Sequence, residues 1–173
     1  MPIPLEGLYL SKPLVPGKIP TNNPFTNIRT FCAGEAVKFG RAVQISSDDP
    51  AIAINMQSSS ATMIGVAVVS PVVHQADRTA PAYASGNVMG VCDQGPIMVF
   101  VEESVNIGDA VRVRITADTG KYAGSFGKTV DGGKTILLDS TCAQWRSKAA
   151  SGLTGSELTA ELFLSPPFKY TAD

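Results

Sequence analysis

From Gly34 onward the chain alternates apolar and polar residues with a period of two, and β-branched residues occupy many of the apolar positions. In the stretch AVRVRIT the Val, Val and Ile side chains point to one face of a strand, while Arg112, Arg114 and Thr116 point to the other, solvated face. The same pattern predicts strands over Ala42–Ser46, Met63–Val69, Val88–Cys92, Ile97–Glu102, Ala110–Thr116, Thr135–Leu138, Cys142–Ala149 and Leu158–Leu164.

Short turns separate these strands. DQG at 93–95, DTG at 118–120 and DGG at 131–133 predict tight hairpins, because glycine accepts a positive φ and aspartate bonds its own turn. SELTAELFL also fits a helix capped by Ser156, but its apolar residues alternate and SPP follows, so we assign it to a strand. We therefore predict an all-β fold, an antiparallel β-barrel or a jelly-roll-like sandwich, over residues 35–173.

One corner occurs twice. Residues 37–43 and 105–111 both read Val-x-x-Gly-x-Ala-Val. We expect the first valine to anchor a loop on the core, the glycine to take a conformation that a Cβ resists, and the Ala-Val to begin a strand. Gly40 and Gly108 are then corner residues, whether the repeat reflects two related halves of a barrel or a valine-glycine turn that recurs by chance.

The first 34 residues have a different composition. Six prolines, at positions 2, 4, 13, 16, 20 and 24, fix φ and remove backbone donors, which disfavours a helix or a central strand. We predict an extended arm over residues 1–34 that contacts neighbouring chains rather than its own barrel. Its apolar contact residues are Leu5, Leu8, Tyr9, Leu14, Ile19, Phe25 and Phe31. Deletion of residues 2–24 should then leave the barrel folded, and the alternative is that this segment is only a tail.

Charge and cysteine content limit the kinds of partner and the cellular setting that the sequence supports. The net charge is −1 and 17% of the residues are charged, below the roughly 25% usual for globular chains. We expect no binding to nucleic acid, which needs clustered Lys and Arg. No membrane helix or secretion signal is recognisable, so we expect no membrane association and synthesis in a cytoplasm. Cys32, Cys92 and Cys142 are far apart in sequence, which indicates buried thiols rather than disulfides.

Two stretches resemble sites that bind or transfer charged groups. GSFGKT at 124–129 ends like a phosphate-binding loop, but Tyr122 stands where G-x-x-x-x-G-K-[ST] requires its first glycine. Two pairs of carboxylates are adjacent in the sequence, Glu102 with Glu103 and Asp48 with Asp49. Neighbouring side chains along a strand or turn point apart, so the two members of a pair cannot act together on one substrate. We expect solvated charges here, and neither a nucleotide site nor an acid-base pair.

The remaining candidate residues stand alone. His74 is the single histidine and has no cysteines nearby in sequence with which to form a zinc site. Ser59 and Ser85 lack the G-x-S-x-G setting of a nucleophile elbow. Trp145 lies on a predicted strand and is expected to be a core or interface aromatic. The sequence therefore predicts no catalytic residues, no cofactor and no metal.

Several weak motifs follow one another in order. A Gly-Val-Ala strand, Gly65-Val66-Ala67, follows a loop, and a Tyr-x-x-Gly turn at Tyr83 and Gly86 leads into the next strand. A Val-x-x-Gly-Asp corner then follows at Val105, Gly108 and Asp109. This order resembles the cement, or decoration, proteins of tailed bacteriophage capsids, over roughly residues 33–164. The positions expected to form structural turns are Gly40, Gly65, Gly86, Gly108 and Asp109.

The resemblance implies a non-catalytic β-barrel or jelly-roll protein on the outside of an assembled capsid, made in the cytoplasm of the bacterial host. Its partners would be the major capsid protein and itself, as a homodimer or homotrimer on a capsid symmetry axis. It would bridge neighbouring capsid subunits and stabilise the shell, because that binding free energy exists only in the assembled particle.

Two other classes of function stay open. A jelly-roll binding module of a phage tail or fibre would recognise carbohydrate or a host receptor, which favours exposed aromatic residues, and 7% of this chain is aromatic with one Trp. A small β-barrel hydrolase would need catalytic groups that the sequence does not group together. Glycan binding, co-sedimentation with capsids and a hydrolase screen separate the three.

Overall fold

The computed structural model describes residues 15–20, 25–69, 82–151 and 158–172. In these ranges there is no helix, and the strands are β1 (Asn27–Ala33), β2 (Val37–Lys38), β3 (Ala42–Ile45), β4 (Ile52–Asn55), β5 (Met63–Ala67), β6 (Ala82–Tyr83), β7 (Val88–Val101), β8 (Val111–Arg114), β9 (Phe126–Gly127), β10 (Thr135–Leu138), β11 (Ala143–Trp145), β12 (Ala150–Ser151), β13 (Leu158–Leu164) and β14 (Tyr170–Ala172). The all-β prediction is confirmed.

Five strands close a small barrel. The ring runs β1–β4–β3–β5–β7 and returns to β1, and β1 pairs parallel with β4, so the barrel is mixed rather than purely antiparallel. Strands β2 and β6 form a separate ribbon. A first core cluster of buried side chains belongs to this half of the molecule: Ala33, Val37, Phe39, Val43, Ala53, Ile64, Ala67, Tyr83, Met89 and Val91.

Strand β7 continues past the barrel into a larger sheet. Its second half pairs with β13 over Gly95–Val101 and with β9 at Val101, and the sheet extends through β8 and β10 to β14. A second core cluster, which we call the main core, packs on this sheet and includes Phe126 and Trp145. It also includes Val66 and Cys92 of the barrel strands, so the outer face of the barrel wall closes the main core.

The hairpin predicted at DQG does not form. Val88–Val101 is one strand of 14 residues, and its pairing with β1 shifts register at Asn27. The buried Asp93 carboxylate accepts a hydrogen bond from Asn27 Nδ2 at 2.8 Å and pairs with Arg29 Nε at 2.8 Å, while Gly95 has a φ of 102°. Turn-forming residues thus form an irregularity inside a strand, because β1 supplies partners for the polar side chain.

Gly65 was predicted to form a turn, and that prediction is wrong. Gly65 lies inside β5 with a φ of 145°, and an added Cβ would stand 2.3 Å from the carbonyl oxygen of Cys92. The glycine permits β5 to approach β7 closely. Gly86, in contrast, lies in a turn closed by a hydrogen bond from the Asn87 amide to the Ala84 carbonyl, with a φ of 86°.

The last part of the predicted arm belongs to the sheet. Asn27–Ala33 forms β1 and closes the barrel, and this part of the chain pairs well because no proline follows Pro24 until Pro50. Residues 1–14 and 21–24 lie outside the described ranges, and with them the predicted contact residues Leu5, Leu8, Tyr9 and Leu14.

Residues 15–20, which we call the strap, bind the edge of β7 opposite β13. Gly17 N donates to Met98 O at 2.7 Å, and Met98 N donates to Lys18 O at 2.8 Å. Val69 N also donates to the Gly17 carbonyl at 2.9 Å, so the strap joins the chain just after β5 to β7. Half-buried Ile19 follows. The strap therefore contacts its own barrel, contrary to the prediction for the arm.

The strap makes the effect of truncation depend on where the chain is cut. Deletion of residues 2–14 should leave the melting temperature nearly unchanged. Deletion of residues 2–24 also removes the hydrogen bonds of Gly17 and Lys18, each worth about 1 kcal/mol, and at about 2–4 °C per kcal/mol the melting temperature should fall by at least about 5 °C. Thermal unfolding followed by circular dichroism measures both, and equal melting temperatures for the two deletions would contradict a structural strap.

The two corner glycines should differ in their tolerance of alanine. Gly108 has a φ of 92° with nothing within 4 Å of an added Cβ, so Gly108→Ala should cost only backbone strain, about 1 kcal/mol. Gly40 has a φ of 73°, and its added Cβ would stand 2.6 Å from Pro16 Cβ on the strap, so Gly40→Ala should cost at least about 2 kcal/mol. Urea unfolding measures both free energies, and equal costs would contradict the close approach of the strap.

Candidate functional site

The GSFGKT stretch holds a carboxylate of its own chain. The backbone amides of Lys128 and Thr129 donate to Glu103 Oε1 at 2.8 and 2.7 Å, and Thr129 Oγ1 donates to Oε2 at 2.7 Å. Burial alone would raise the pKa of Glu103, but these hydrogen bonds and the Lys128 charge hold that pKa below its ordinary value. Two backbone amides of the GKT sequence itself, those of Lys128 and Thr129, therefore bind Glu103, and a phosphate would have to displace it.

Arg114 is buried between two carboxylates. Its guanidinium Nε lies 2.7 Å from Glu102 Oε1 and Nη1 lies 3.0 Å from Asp131 Oδ2, and Ser125 Oγ donates to Glu102 at 2.5 Å. Arg114 and Glu102 were both predicted to be solvated, and both predictions are wrong because paired charges can be buried. The two adjacent glutamates do point apart, since Glu103 faces Thr129 instead.

This charged cluster borders an open groove of about 310 Å³. The groove is lined by both signs of charge, including Arg112, Arg114 and Lys121 beside Glu102 and Asp131. Arg114 is paired with Glu102 and Asp131 inside the chain, so the charges that line the groove already have partners of opposite sign there.

The other residues considered for chemistry have structural surroundings. Trp145 is buried, its Nε1 donates to the Ala110 carbonyl at 3.3 Å, and its ring meets Phe126 edge-on with centroids 6.5 Å apart. Cys92 is a free, buried thiol whose pKa burial raises to about 12. His74 lies outside the described residues. Trp145 is thus a core aromatic, as predicted.

The described ranges contain no group of three His, Cys, Asp or Glu side chains placed to hold a metal ion. Among the same residues, no helix has the length and apolar character needed to cross a bilayer. What the described surface does offer is exposed apolar side chains, at Tyr122 and in two further places.

The first place is formed by two loops, and we call it the tip: Ile107 and Val130, which are 66% and 55% exposed. Asp109 accepts a hydrogen bond from the Asn106 amide at 2.9 Å and pairs with Lys128 Nζ at 3.2 Å, which ties the two loops together. The same interactions lower the pKa of Asp109. The two loops that carry the tip residues are therefore joined by an ion pair.

The second place lies at β1 and the start of β7. Phe25, Ile28 and Val88 are 70%, 48% and 74% exposed. Phe31 is half-buried and packs on the barrel core, and Ile19 is half-buried in the strap. Among the predicted contact residues that the structure describes, Phe25 is thus the exposed one. Sequence periodicity missed Ile28, Val88, Ile107 and Val130, because an exposed apolar residue leaves the same pattern as a buried one.

Glu103 accepts hydrogen bonds from Lys128 and Thr129, an arrangement that we call the Glu103 cradle. This cradle should make the stability of the fold depend on pH. Because the folded pKa is depressed, ionised Glu103 stabilises the fold above its ordinary pKa, and this contribution is lost as pH falls through the folded pKa. Glu103→Gln should therefore be less stable than wild type at about pH 7, and the difference should shrink as pH falls below the ordinary glutamate pKa of about 4.3 and through the lower folded pKa. Urea unfolding across this range measures it. Thr129→Val should reduce the pH dependence, and a difference that does not change with pH would contradict the assignment.

Comparison with known proteins places these features in a family. The family described as "Structural cement protein (E217 gp24/Pam3 gp6)" matches residues 8–159. No curated protein matches the chain. A chain in the capsid of Myoviridae phage XM1 is 15% identical with a TM-score of 0.64, covering 88% of this chain and 92% of that one.

The base of the head fibre gp8.5 of bacteriophage phi29 is also 15% identical, with a TM-score of 0.43, over 81% of this chain and 94% of that one. The XM1 similarity supports the fold, and the family match spans the barrel, β7 and most of the larger sheet. The chain therefore belongs to the family of structural cement proteins of bacteriophages.

Proposed function

We propose that the protein binds the outside of an assembled phage capsid and stabilises the shell by bridging neighbouring major capsid subunits. The observation that carries the proposal is the family match over residues 8–159. The low charge of the chain suits contacts with other proteins more than contacts with nucleic acid.

The arrangement of the exposed apolar residues supports a bridging role. Val88 stands at the start of β7, and the tip follows its end at Val101. Val88 and the loop that carries Ile107 lie on either side of this strand in sequence, and a strand of 14 residues spans up to about 45 Å. Contacts at two separated ends join two partners, whereas one continuous patch would join only one.

The tip is the end that we assign to the capsid. Ile107 and Val130 are held by the Asp109–Lys128 ion pair and by the Glu103 cradle, so they lose little conformational freedom when they are buried. Burying an apolar side chain of this size contributes about 1.5–3 kcal/mol. Ligands that bind only the assembled shell stabilise it by mass action, and the tip would supply part of that binding free energy.

This function is tested on capsids prepared without the protein. Adding the purified protein should raise the temperature at which particles release their genome, measured with a DNA-binding dye. The variant Ile107→Asp, which places a charge on the tip, should weaken capsid binding at least about tenfold in co-sedimentation, since an apolar contact becomes a buried unpaired charge.

The matched control is Ser59→Asp, which adds the same charge at the exposed turn between β4 and β5. Both variants should melt like wild type, because both residues are exposed. Binding by Ile107→Asp as tight as by the control would reject the tip as the capsid contact. Failure of the wild-type protein to bind capsids would reject the proposed function itself.

A further inference from the structure

Two cations share one aromatic ring at the protein surface. Lys38 Nζ lies 5.3 Å from the centroid of the Tyr122 ring, and the guanidinium carbon of Arg41 lies 4.5 Å from it. Arg41 also stands 5.9 Å from the centroid of the Phe100 ring. We call these four residues the cation–aromatic patch. Each cation is attracted to the electron-rich face of a ring, whereas the two like charges repel each other.

The chain holds this patch in a defined place. Arg41 is 8% exposed, and an added Cβ on Gly124 would stand 3.1 Å from Arg41 Cβ. The Tyr122 carbonyl accepts hydrogen bonds from the Ser125 backbone amide at 3.1 Å and from the Ser125 hydroxyl, which closes the turn before β9. Tyr122 itself is 44% exposed. A partner that covers the patch therefore restricts few additional side chains, and the entropic cost of binding is small.

The charge of Lys38 is not neutralised by a described carboxylate. None of the ion pairs formed among the described residues includes Lys38, which is half-buried. Because Lys38 and Arg41 stand close to the same ring, they lie within about one Debye length of each other, roughly 10 Å at 0.1 M salt, and their fields add. A carboxylate placed on the patch would attract both cations and offset their repulsion.

The patch adjoins the groove that one tip residue also lines. Lys121, the residue before Tyr122, lines this groove together with Val130 of the tip. Lys121 adds a further positive charge, although its Nζ lies 3.9 Å from Asp131 Oδ2. A partner that buries Val130 and follows the groove therefore reaches the patch next.

We propose that the cation–aromatic patch binds an acidic segment, one that carries Asp or Glu side chains, on the capsid surface that receives the tip. This inference rests on the proposed function and adds the chemistry of the partner to it. The patch is a local group of cations on a chain with a net charge of −1, whereas nucleic acid is bound by longer rows of Lys and Arg that follow the phosphates. An acidic protein segment fits such a patch, because one or two carboxylates are enough to pair with its cations.

The test measures binding to capsids prepared without the protein, by co-sedimentation at about 0.05 M and about 0.5 M salt. The wild type should bind more weakly at the higher salt, because salt screens an exposed charge contact. Lys38→Glu should weaken binding at least about tenfold at low salt, and the loss should be smaller at high salt. Lys38→Arg keeps the charge and should bind like wild type.

The matched control is Arg146→Glu. Arg146 is exposed and its guanidinium carbon lies 4.7 Å from the centroid of the Phe163 ring, so the same change of charge removes a cation from a ring that is not part of the patch. The control should bind capsids like wild type, and all variants should keep the wild-type circular dichroism spectrum. Lys38→Gln, which only removes the charge, should give an intermediate loss and replaces Lys38→Glu if that variant does not fold.

Equal losses for Lys38→Glu and Arg146→Glu would indicate an effect of net charge alone and would overturn the patch as a site. Capsid binding by Lys38→Glu as tight as by wild type would also overturn it, and would leave the proposed function intact. Fluorescently labelled single-stranded DNA should not bind the wild type in the same buffers, and DNA binding that Lys38→Glu abolishes would assign the patch to nucleic acid instead. A wild type that does not bind capsids would reject the proposed function and this inference with it.

Discussion

Strand β7 is the element on which both cores depend. Met89 and Val91 in its first half belong to the barrel core, while Ile97 and Val99 in its second half belong to the main core. The strand is held on both edges, by β1 and β13 on one side and by β5, the strap and β9 on the other. Because one strand supplies side chains to both clusters, neither half of the molecule has a complete core without the other.

The sequence predicted the strands that bury an apolar face and expose a polar one. Thr135–Leu138 and Leu158–Leu164 have the predicted bounds, since period-two alternation depends only on which face is buried. It failed where a distant partner decides the outcome. Asp93 resembles a turn residue until β1 brings Arg29 and Asn27 to it, and no local pattern records that contact. The strap is a similar case, because Gly17 is fixed by Met98, some eighty residues away.

The candidate site was predicted less well than the fold, for a related reason. The expectation that GSFGKT is not a phosphate loop followed from one spacing, and in the structure the Lys128 and Thr129 amides donate to Glu103 instead. Arg114 was assigned to solvent because alternation treats every charge as exposed, whereas Glu102 and Asp131 make its burial possible. The sequence pattern did not indicate which apolar side chains are exposed. Exposure depends on which other elements cover a face, and that is a property of the whole fold.

Exposed apolar side chains increase the risk of non-specific association, and this risk is lower when they are not gathered into one patch. Ile107 and Val130 lie in loops that follow β7 in sequence, whereas Ile28 and Val88 lie on β1 and at the start of β7, so these exposed side chains are divided between separate elements, and a single large apolar patch would promote aggregation. The Asp109–Lys128 ion pair joins the loops that carry Ile107 and Val130, and hydrogen-bonded strands carry Ile28 and Val88, which limits the conformational freedom that each would lose on binding. Such a division suits the proposed bridging of capsid subunits, because two contacts at a fixed distance favour an assembled lattice over a free subunit.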